Sequence, residues 1–541
     1  WGDHVVVEGG RLLASGFLLS ASCYRLQAHE STVSIPDSRL PIPDSLDALF
    51  RILFSKLIQN VTICKIDVEK SIPERGRMDM GNGFDKKSNI RIIEMSLHDF
   101  MNVEEGTVKF SCSRSQERNF GSADILGLYG QNGSGKTAFI HALSVIKKCM
   151  MGMKLGQETS AYIRNGAESL SIHIGFSAKV GERIIDLFYD VVIHRVNDEN
   201  QAGAQISSEV LSIRDGGSRK HVLLSCDDEA VLRPKKVFAN FSRKNNMELH
   251  IKRGIVRSQG RSFIFSGELY DFLMHIGEAE SVQQILFSRN LLKKYAGEYL
   301  YVIGVKDIGV INLSIAMPFY FHIQDEGLHS FGTIGIPING PASIPARAFQ
   351  LAERFIDDMN SVLKYMIPGL QLQLKNIGDE LNENGEKMKR VELLSIRNNK
   401  AIPLKYESEG IKKILSILHV FIGAFNDSSM TVVIDEFDAG VFEYLLGELL
   451  ELFAESGKGQ FIFTSHNLRP LEVLNKDFIV FTTTNPKNRY VRLKNVKSNN
   501  NLRDFYYHTI LLGGQDEYLY NETNQYELSY AIRKVGKYEK E

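Results

Sequence analysis

The chain has 541 residues, 43% of them hydrophobic and 24% charged, a composition that is typical of globular proteins and excludes a disordered or collagen-like chain. Its formal net charge is −1, so any binding to nucleic acid or to an anionic membrane must be local. The five cysteines are widely spaced and form no CxxC pair, which predicts reduced thiols in a cytoplasmic protein. No apolar run reaches the roughly 18 residues that predict a membrane-spanning helix, so we expect no membrane partner.

Residues 1–87 predict a poorly packed N-terminal extension. Three prolines fall between Ser34 and Asp44, a density that is typical of loops, and one amphipathic helix is predicted over Leu46–Ile58. The first of the 14 methionines is Met78, and purine-rich codons for the preceding Glu74–Arg77 would resemble a ribosome-binding site. Our hypothesis is that Met78 or Met80 is the natural start; the alternative is a genuine extension.

Regular patterns begin near residue 90, where buried strands alternate with helical spacing. Strands are predicted over Ile90–Leu97, Val108–Ser111, Asp124–Tyr129, Thr431–Ile434 and Gln460–Thr464, with a last hairpin from Phe478–Thr483 and Tyr490–Lys494. Helices are predicted over Thr137–Lys148, Leu269–Tyr295, Ala346–Tyr365, Ile411–Phe425 and Val441–Phe453. The segments Leu170–Ser225 and Leu370–Leu404 are predicted to be rich in strands. The alternation predicts an α/β protein.

A glycine-rich loop follows the predicted strand Asp124–Tyr129 and precedes a predicted helix. It consists of Gly130, Gln131, Asn132, Gly133, Ser134, Gly135, Lys136 and Thr137. This sequence fits GxxxxGK[ST], and its flanks are the context that confirms a P-loop. The glycines allow backbone N–H groups to converge on phosphate, Lys136 can reach the β- and γ-phosphates, and Thr137 can ligate Mg²⁺.

Two later strands end in polar residues that suit the same chemistry. Thr431–Ile434 is followed by Asp435 and Glu436, the Walker B pattern, in which Asp435 would hold Mg²⁺ and Glu436 would act as general base. The alternative for this acidic pair is an ordinary helix cap. The strand Gln460–Thr464 ends near His466, which as a neutral imidazole can hydrogen-bond a γ-phosphate; the alternative is a surface or capping histidine.

The predicted helix Ile411–Phe425 is preceded by Ser408 and Gly410. A hydroxyl residue and a glycine at a helix start form an anion-binding site, and Ser408 is equally suited to cap its own helix. The two interpretations share one geometry and differ only in the partner of the hydroxyl, which is either the amides of the helix or a nucleotide on another subunit.

The order of these motifs resembles that of ABC-type ATPases. Three segments resemble in sequence the bacterial AAA-type, ABC-like ATPases of the abortive-infection (AbiLii-like) class, which are relatives of the OLD, RecF and SMC heads. They are Glu407–Lys413, Val432–Gly440 and Phe463–Asn467. The resemblance covers about residues 88–541, including the first strand Ile90–Phe100 and the late segment Asn501–Phe505. It implies an ABC-type head that uses ATP and Mg²⁺.

The resemblance also implies a head-to-tail homodimer. Ser408 and Gly410 of one chain would contact the γ-phosphate at Lys136 of the other, and Asp438 would lie in the segment that crosses the dimer axis. The chain departs from the family at Phe442, where a histidine is common, and in its Ser-Glu-Gly signature. Gln157 is a weak candidate for the Q-loop. No acidic cluster of a Toprim nuclease follows His466, so we predict no nuclease.

Lys136 and Asp435 are 299 positions apart, which argues against a compact AAA+ motor and for a head split by an insertion. The predicted fold is a P-loop ABC-type head with a mixed and parallel sheet and flanking helices, split by an α+β lobe. The predicted domains are the extension 1–87, the first part of the head 88–155, the inserted lobe 156–399 and the second part of the head 400–541.

Between Arg233 and Arg261 there are nine basic residues and one acid, Glu248, with Phe238 and Phe241 interleaved. This stretch suits nucleic acid, although an ordinary solvated face is the alternative. The leading functional hypothesis is Mg²⁺-dependent ATP hydrolysis that drives dimerisation, in phage defence or nucleic-acid surveillance with an effector from a neighbouring gene. The alternatives are a slow nucleotide-gated binding module or toxin regulator, and a transporter ATPase.

Overall fold

A computed structural model describes residues 6–8, 11–13, 88–111, 119–198, 201–227, 242–276, 279–305, 311, 315–325, 328–496 and 501–535. The chain forms two units, residues 1–64 and 65–541. In the first unit, the described residues form one antiparallel pair of strands. The predicted helix over Leu46–Ile58 and the region around Met78 lie outside the described residues.

The strands are β1 Val6–Glu8, β2 Arg11–Leu13, β3 Asn89–Phe100, β4 Val103–Lys109, β5 Asp124–Tyr129, β6 Ser169–Val180, β7 Arg183–Asp198, β8 Gln201–Asp215, β9 His221–Cys226, β10 Leu300–Ile303, β11 Ala316–Asp325, β12 Leu328–Pro337, β13 Ala342–Pro345, β14 Leu370–Leu381, β15 Lys387–Arg397, β16 Lys400–Pro403, β17 Thr431–Ile434, β18 Gln460–Thr464, β19 Ile479–Thr482 and β20 Tyr490–Val491. The α-helices are α1 Lys136–Met150, α2 Glu158–Ala161, α3 Arg243–Ser258, α4 Gly267–Ile276, α5 Glu280–Lys294, α6 Ala346–Met366, α7 Glu409–Asn426, α8 Glu443–Ser456, α9 Pro470–Val473, α10 Leu502–Leu512 and α11 Gln525–Val535.

The central sheet has the strand order β10-β17-β18-β5-β19-β20. All neighbours in it are parallel except β19 and β20. Every residue of β5, β17 and β18 is buried, as expected for parallel strands that are covered on both faces. The carboxyl ends of these three strands lie at one edge of the sheet, which is where ligands bind in open α/β folds.

A second, antiparallel sheet has the order β4-β3-β6-β7-β8-β9. Helix α1 packs against both sheets, because its residues Phe139 and Leu143 belong to a core shared with Ile172 of β6 and Ile462 of β18. A third sheet, β13-β15-β14 with β16 on β15, is covered by the amphipathic helix α6, whose residues Ala352, Ile356 and Met359 are buried.

Most predicted elements are present with shifted ends. The prediction of a strand over Val108–Ser111 was wrong in its start, because β4 begins at Val103 and ends at Lys109. Within β4, Gly106 lies directly against the Tyr490 ring. The hairpin β19-β20 is confirmed, but β20 has two residues. Helix α8 spans Glu443–Ser456 rather than Val441–Phe453.

Strands from the predicted lobe 156–399 belong to both large sheets. β6 pairs with β3, and β10, which the sequence did not predict as a strand, pairs with β17. The domain boundaries at residues 155 and 399 stay predictions. Among the described residues, no helix is long and apolar enough to cross a bilayer.

Candidate nucleotide-binding site

The glycine-rich loop connects the end of β5 to the start of α1. Gly130, Gly133 and Gly135 have φ values of +152°, +75° and +99°, a region that favours glycine. A Cβ atom on Gly130 would lie 1.8 Å from Thr482 Oγ1. The loop is therefore held tightly against β19, and no larger residue fits at Gly130.

Residues far along the chain fix the other parts of this loop. The hydroxyl of Tyr490 donates to Gly135 O at 2.8 Å, and the Asn521 N–H donates to Gln131 Oε1 at 2.9 Å. Ser134 shares a hydrogen bond with Thr482, and the side-chain amide of Asn102 donates to Gly133 O. None of these supports was predictable from a motif, because Asn102, Thr482, Tyr490 and Asn521 lie in segments without a recognisable one.

Lys136 is the first residue of α1, and its side chain folds back into the loop. Its Nζ donates to Gly130 O at 2.8 Å and to Gln131 O at 3.0 Å. Burial lowers the pKa of Lys136 to about 8, although the carboxylates of Asp435, Asp438 and Glu436 act in the opposite direction. The amine is thus close to the acids of the predicted Walker B segment. Thr137 follows it as the second residue of α1.

Asp435 and Glu436 follow β17 as predicted. The buried Thr464 hydroxyl, at the end of β18, donates to Asp435 Oδ1 at 2.6 Å and accepts from the Glu436 N–H at 2.8 Å. Glu436 has φ +49°, a conformation that costs a non-glycine residue of the order of 1–2 kcal/mol. The surrounding hydrogen bonds hold it there.

His466 lies two residues beyond β18, at the same sheet edge. Burial, together with the nearby Lys136 ammonium, lowers its pKa from the usual value, while the three acids oppose the shift. A neutral imidazole at neutral pH follows from this direction. The N–H groups of His466 and Asn467 both donate to Asp438 Oδ2, at 3.1 and 2.9 Å. Asp438 therefore supports the His466 loop within its own chain.

A second lysine, Lys413, also reaches the acid cluster, and sequence reasoning gave it no role. It comes from α7 and is 2% exposed, and its Nζ donates to the main-chain oxygen of Glu436. Burial lowers its pKa to about 8 against the effect of Asp438, Glu436 and Asp435. The signal was present as two adjacent lysines, Lys412 and Lys413, in a largely apolar helix, but that pattern does not identify a partner.

Ser408 and Gly410 lie at the start of α7. Ser408 caps the helix by accepting from the Ile411 N–H at 3.3 Å, as one of the two sequence interpretations requires. A Cβ on Gly410 would lie 2.1 Å from Gly440 O, so Gly410 is needed for close backbone packing within the chain. In the described residues, no hydrogen bond joins Ser408 or Gly410 to the loop 130–135.

These two residues line an open groove of about 460 Å³. Phe442 and Tyr444 form part of its wall and are 68% and 53% exposed. The weak Q-loop candidate Gln157 precedes the short helix α2, and its carbonyl accepts from Ser160 Oγ at 2.8 Å.

The donor set fits a Mg²⁺·nucleotide. Mg²⁺ prefers hard oxygen ligands, and it is commonly held by one or two carboxylates together with substrate phosphates. Asp435 and Thr137 supply such oxygens, and no group of three or more metal-binding side chains occurs in the described part of the chain. The loop 130–135, with backbone N–H groups at a helix start, suits the phosphates.

The predicted nucleic-acid stretch is described only from residue 242 onward; Arg233, Lys235, Lys236, Phe238 and Phe241 lie outside the described residues. The remainder forms α3, whose outer face carries exposed Arg243 and Lys244. Met247, Ile251 and Ile255, exposed by 65%, 54% and 49%, share that face.

Comparisons with known proteins give distant structural likenesses. No family model matches the chain, and no curated protein matches it. Among solved structures, an SMC head bound to the C-terminal winged-helix domain of ScpA has 14% identity and a TM-score of 0.37, covering 74% of this chain and 97% of that one. The SMC head domain from Thermotoga maritima has 14% identity and a TM-score of 0.33, covering 75% and 99%. The ATP complex of the recombination mediator RecF has 12% identity and a TM-score of 0.29, covering 70% and 94%.

Proposed function

We propose that the chain is an ATPase that binds Mg²⁺·ATP at Gly130–Thr137 and hydrolyses it with Glu436 as general base. The observation that carries the proposal is the convergence of four groups at one sheet edge. Lys136, Asp435, Glu436 and His466 follow three adjacent parallel strands, β5, β17 and β18, and each of the two basic side chains lies within the electrostatic reach of both acids.

Each residue then has a definite task. The loop N–H groups and Lys136 bind the phosphates, for which the Lys136 amine exchanges the Gly130 and Gln131 carbonyls for phosphate oxygens. Asp435 and Thr137 would hold Mg²⁺, which neutralises charge that develops on the phosphates. Glu436 accepts a proton from the attacking water, and neutral His466 hydrogen-bonds the terminal phosphate.

The proposal includes a nucleotide-dependent homodimer. Ser408 and Gly410 lie at the accessible start of α7, beside the groove of Phe442 and Tyr444, so a partner can approach them. In a head-to-tail arrangement they would complete the nucleotide site of the other chain. The motif resemblance also supports a role in phage defence or nucleic-acid surveillance together with an effector protein.

The runner-up is a binding module whose slow turnover acts as a timer, and a Glu436→Gln variant separates the two. We expect wild-type turnover that depends on Mg²⁺, a loss of at least about 100-fold in the variant, and an ATP-trapped dimer detectable by light scattering. Lys136→Ala, the control for binding, should neither bind nor dimerise. Wild-type turnover no faster than that of Glu436→Gln would refute the ATPase and favour the timer.

A further inference from the structure

Lys413 occupies an unusual position for a lysine. It is 2% exposed, and burial of an ammonium group is costly unless other groups offset its lost hydration. Its Nζ donates to a peptide oxygen, that of Glu436, and the carboxylates of Asp438, Glu436 and Asp435 raise its pKa against the effect of burial.

The bonded oxygen belongs to a residue in a strained conformation. Glu436 has φ +49°, and its N–H donates to Thr464 Oγ1 at 2.8 Å. On the other side of the residue, the Ala439 N–H and Lys413 Nζ both donate to its carbonyl oxygen. The main chain of Glu436 is therefore held from both ends, once by β18 and once by α7.

A second contact joins the same two segments. The backbone of Gly410, one turn before Lys413 on α7, touches the backbone of Gly440, since a Cβ on Gly410 would lie 2.1 Å from Gly440 O. The first turn of α7 therefore contacts the segment 436–440 at each of its two ends, through Lys413 at Glu436 and through Gly410 at Gly440.

We infer that Lys413 is a positioning residue for Glu436. Lys413 fixes the main chain of this general base and links it to α7, the helix that Ser408 caps. The inference rests on the proposed function for its kinetic consequence. Lys413 needs no contact with nucleotide. It acts through the direction in which the Glu436 carboxylate points, so its removal should lower the rate of hydrolysis and leave nucleotide affinity unchanged.

The test uses the full chain with Lys413→Met, Lys413→Arg and the matched control Lys476→Met. Lys476 also donates to a peptide oxygen, Val496 O at 2.6 Å, but away from the site. We expect kcat to fall about 10- to 100-fold in Lys413→Met, with the Kd for Mg²⁺·ATP within about threefold of wild type. Lys413→Arg, which retains a cationic donor, should recover part of the rate, and Lys476→Met should match wild type.

Hydrogen exchange provides a readout that does not depend on turnover. Amide exchange at residues 436–439 should quicken in Lys413→Met and stay unchanged in Lys476→Met. An unchanged kcat and unchanged exchange in Lys413→Met would overturn the inference, as would a loss of ATP affinity that Lys413→Arg does not restore. If the wild-type chain does not hydrolyse ATP, the proposed function fails, and faster exchange at 436–439 alone supports the positioning role.

Discussion

The depressed pKa of Lys136 gives ATP binding a specific dependence on pH. The amine has a pKa of about 8 in the free protein because it is buried. Phosphate oxygens at the loop would stabilise the ammonium and raise that pKa. Above pH 8 the free protein has lost the proton that the complex needs, so binding must be accompanied by proton uptake.

The magnitude follows from this linkage. The apparent Kd is multiplied by the factor 1 + 10^(pH − pKa). With a pKa of about 8, this factor is about twofold at pH 8 and about elevenfold at pH 9. Calorimetric titration of the wild-type chain with Mg²⁺ and a non-hydrolysable ATP analogue from pH 7.5 to 9.5 measures it without turnover and keeps the Glu436 carboxylate that acts on Lys136. Affinity should weaken as pH rises, and buffers of different ionisation enthalpy should show net proton uptake.

Lys136→Arg is the matched control, because a guanidinium keeps its charge throughout this range. Its affinity should be nearly independent of pH, whatever its absolute value. A flat wild-type Kd from pH 7.5 to 9.5 would show that Lys136 is fully charged in the free site. An equally steep dependence in Lys136→Arg would assign the proton to a group other than Lys136.

Two further predictions concern Thr464 and the basic helix. Thr464→Val keeps the shape of the side chain but removes the donor to Asp435 Oδ1 and the acceptor of the Glu436 N–H, so the free energy of unfolding in urea should fall by about 2–4 kcal/mol. In the control Thr509→Val, the lost hydroxyl bonds only within α10, so the free energy of unfolding should change little. Equal losses in the two variants would contradict the argument. If α3 binds nucleic acid through phosphates, the double variant Arg243→Glu, Lys244→Glu should bind a labelled oligonucleotide more weakly, and its affinity should depend less on salt. Replacing Met247 and Ile251 with serine should leave the affinity unchanged. The reverse pattern would identify α3 as an apolar contact surface.

The central features of the site were predictable because they depend on local sequence. The loop Gly130–Thr137 needs glycine at defined positions of positive φ, and Asp435 and His466 follow short, fully buried strands. Parallel strands place their carboxyl ends together, so the expectation that these residues converge required only the strand assignments. The structure places all three strands side by side in the order β17-β18-β5.

The supports of the site were not predictable in this way. Tyr490 and Thr482 bond the glycine-rich loop from more than 300 residues away in the sequence, and they belong to strands without polar motifs. The edge strand β10 was missed because the four residues Leu300–Ile303 are not followed by a polar motif like the one that marked the equally short strand β17. Such partners become visible only when the order of the strands is known.

Lys413 illustrates the same limit on a helix. Ile414, Ile417, Leu418 and Phe421 are buried on α7, whereas a charged side chain is ordinarily expected in solvent. Its burial depends on two facts that the sequence of α7 does not contain. One is the left-handed turn at Glu436, which exposes a peptide oxygen to the helix, and the other is the set of three carboxylates that offsets the lost hydration of the ammonium. Because both arise from the segment that follows β17, replacing one of these acids with its amide should lower the pKa of Lys413 further.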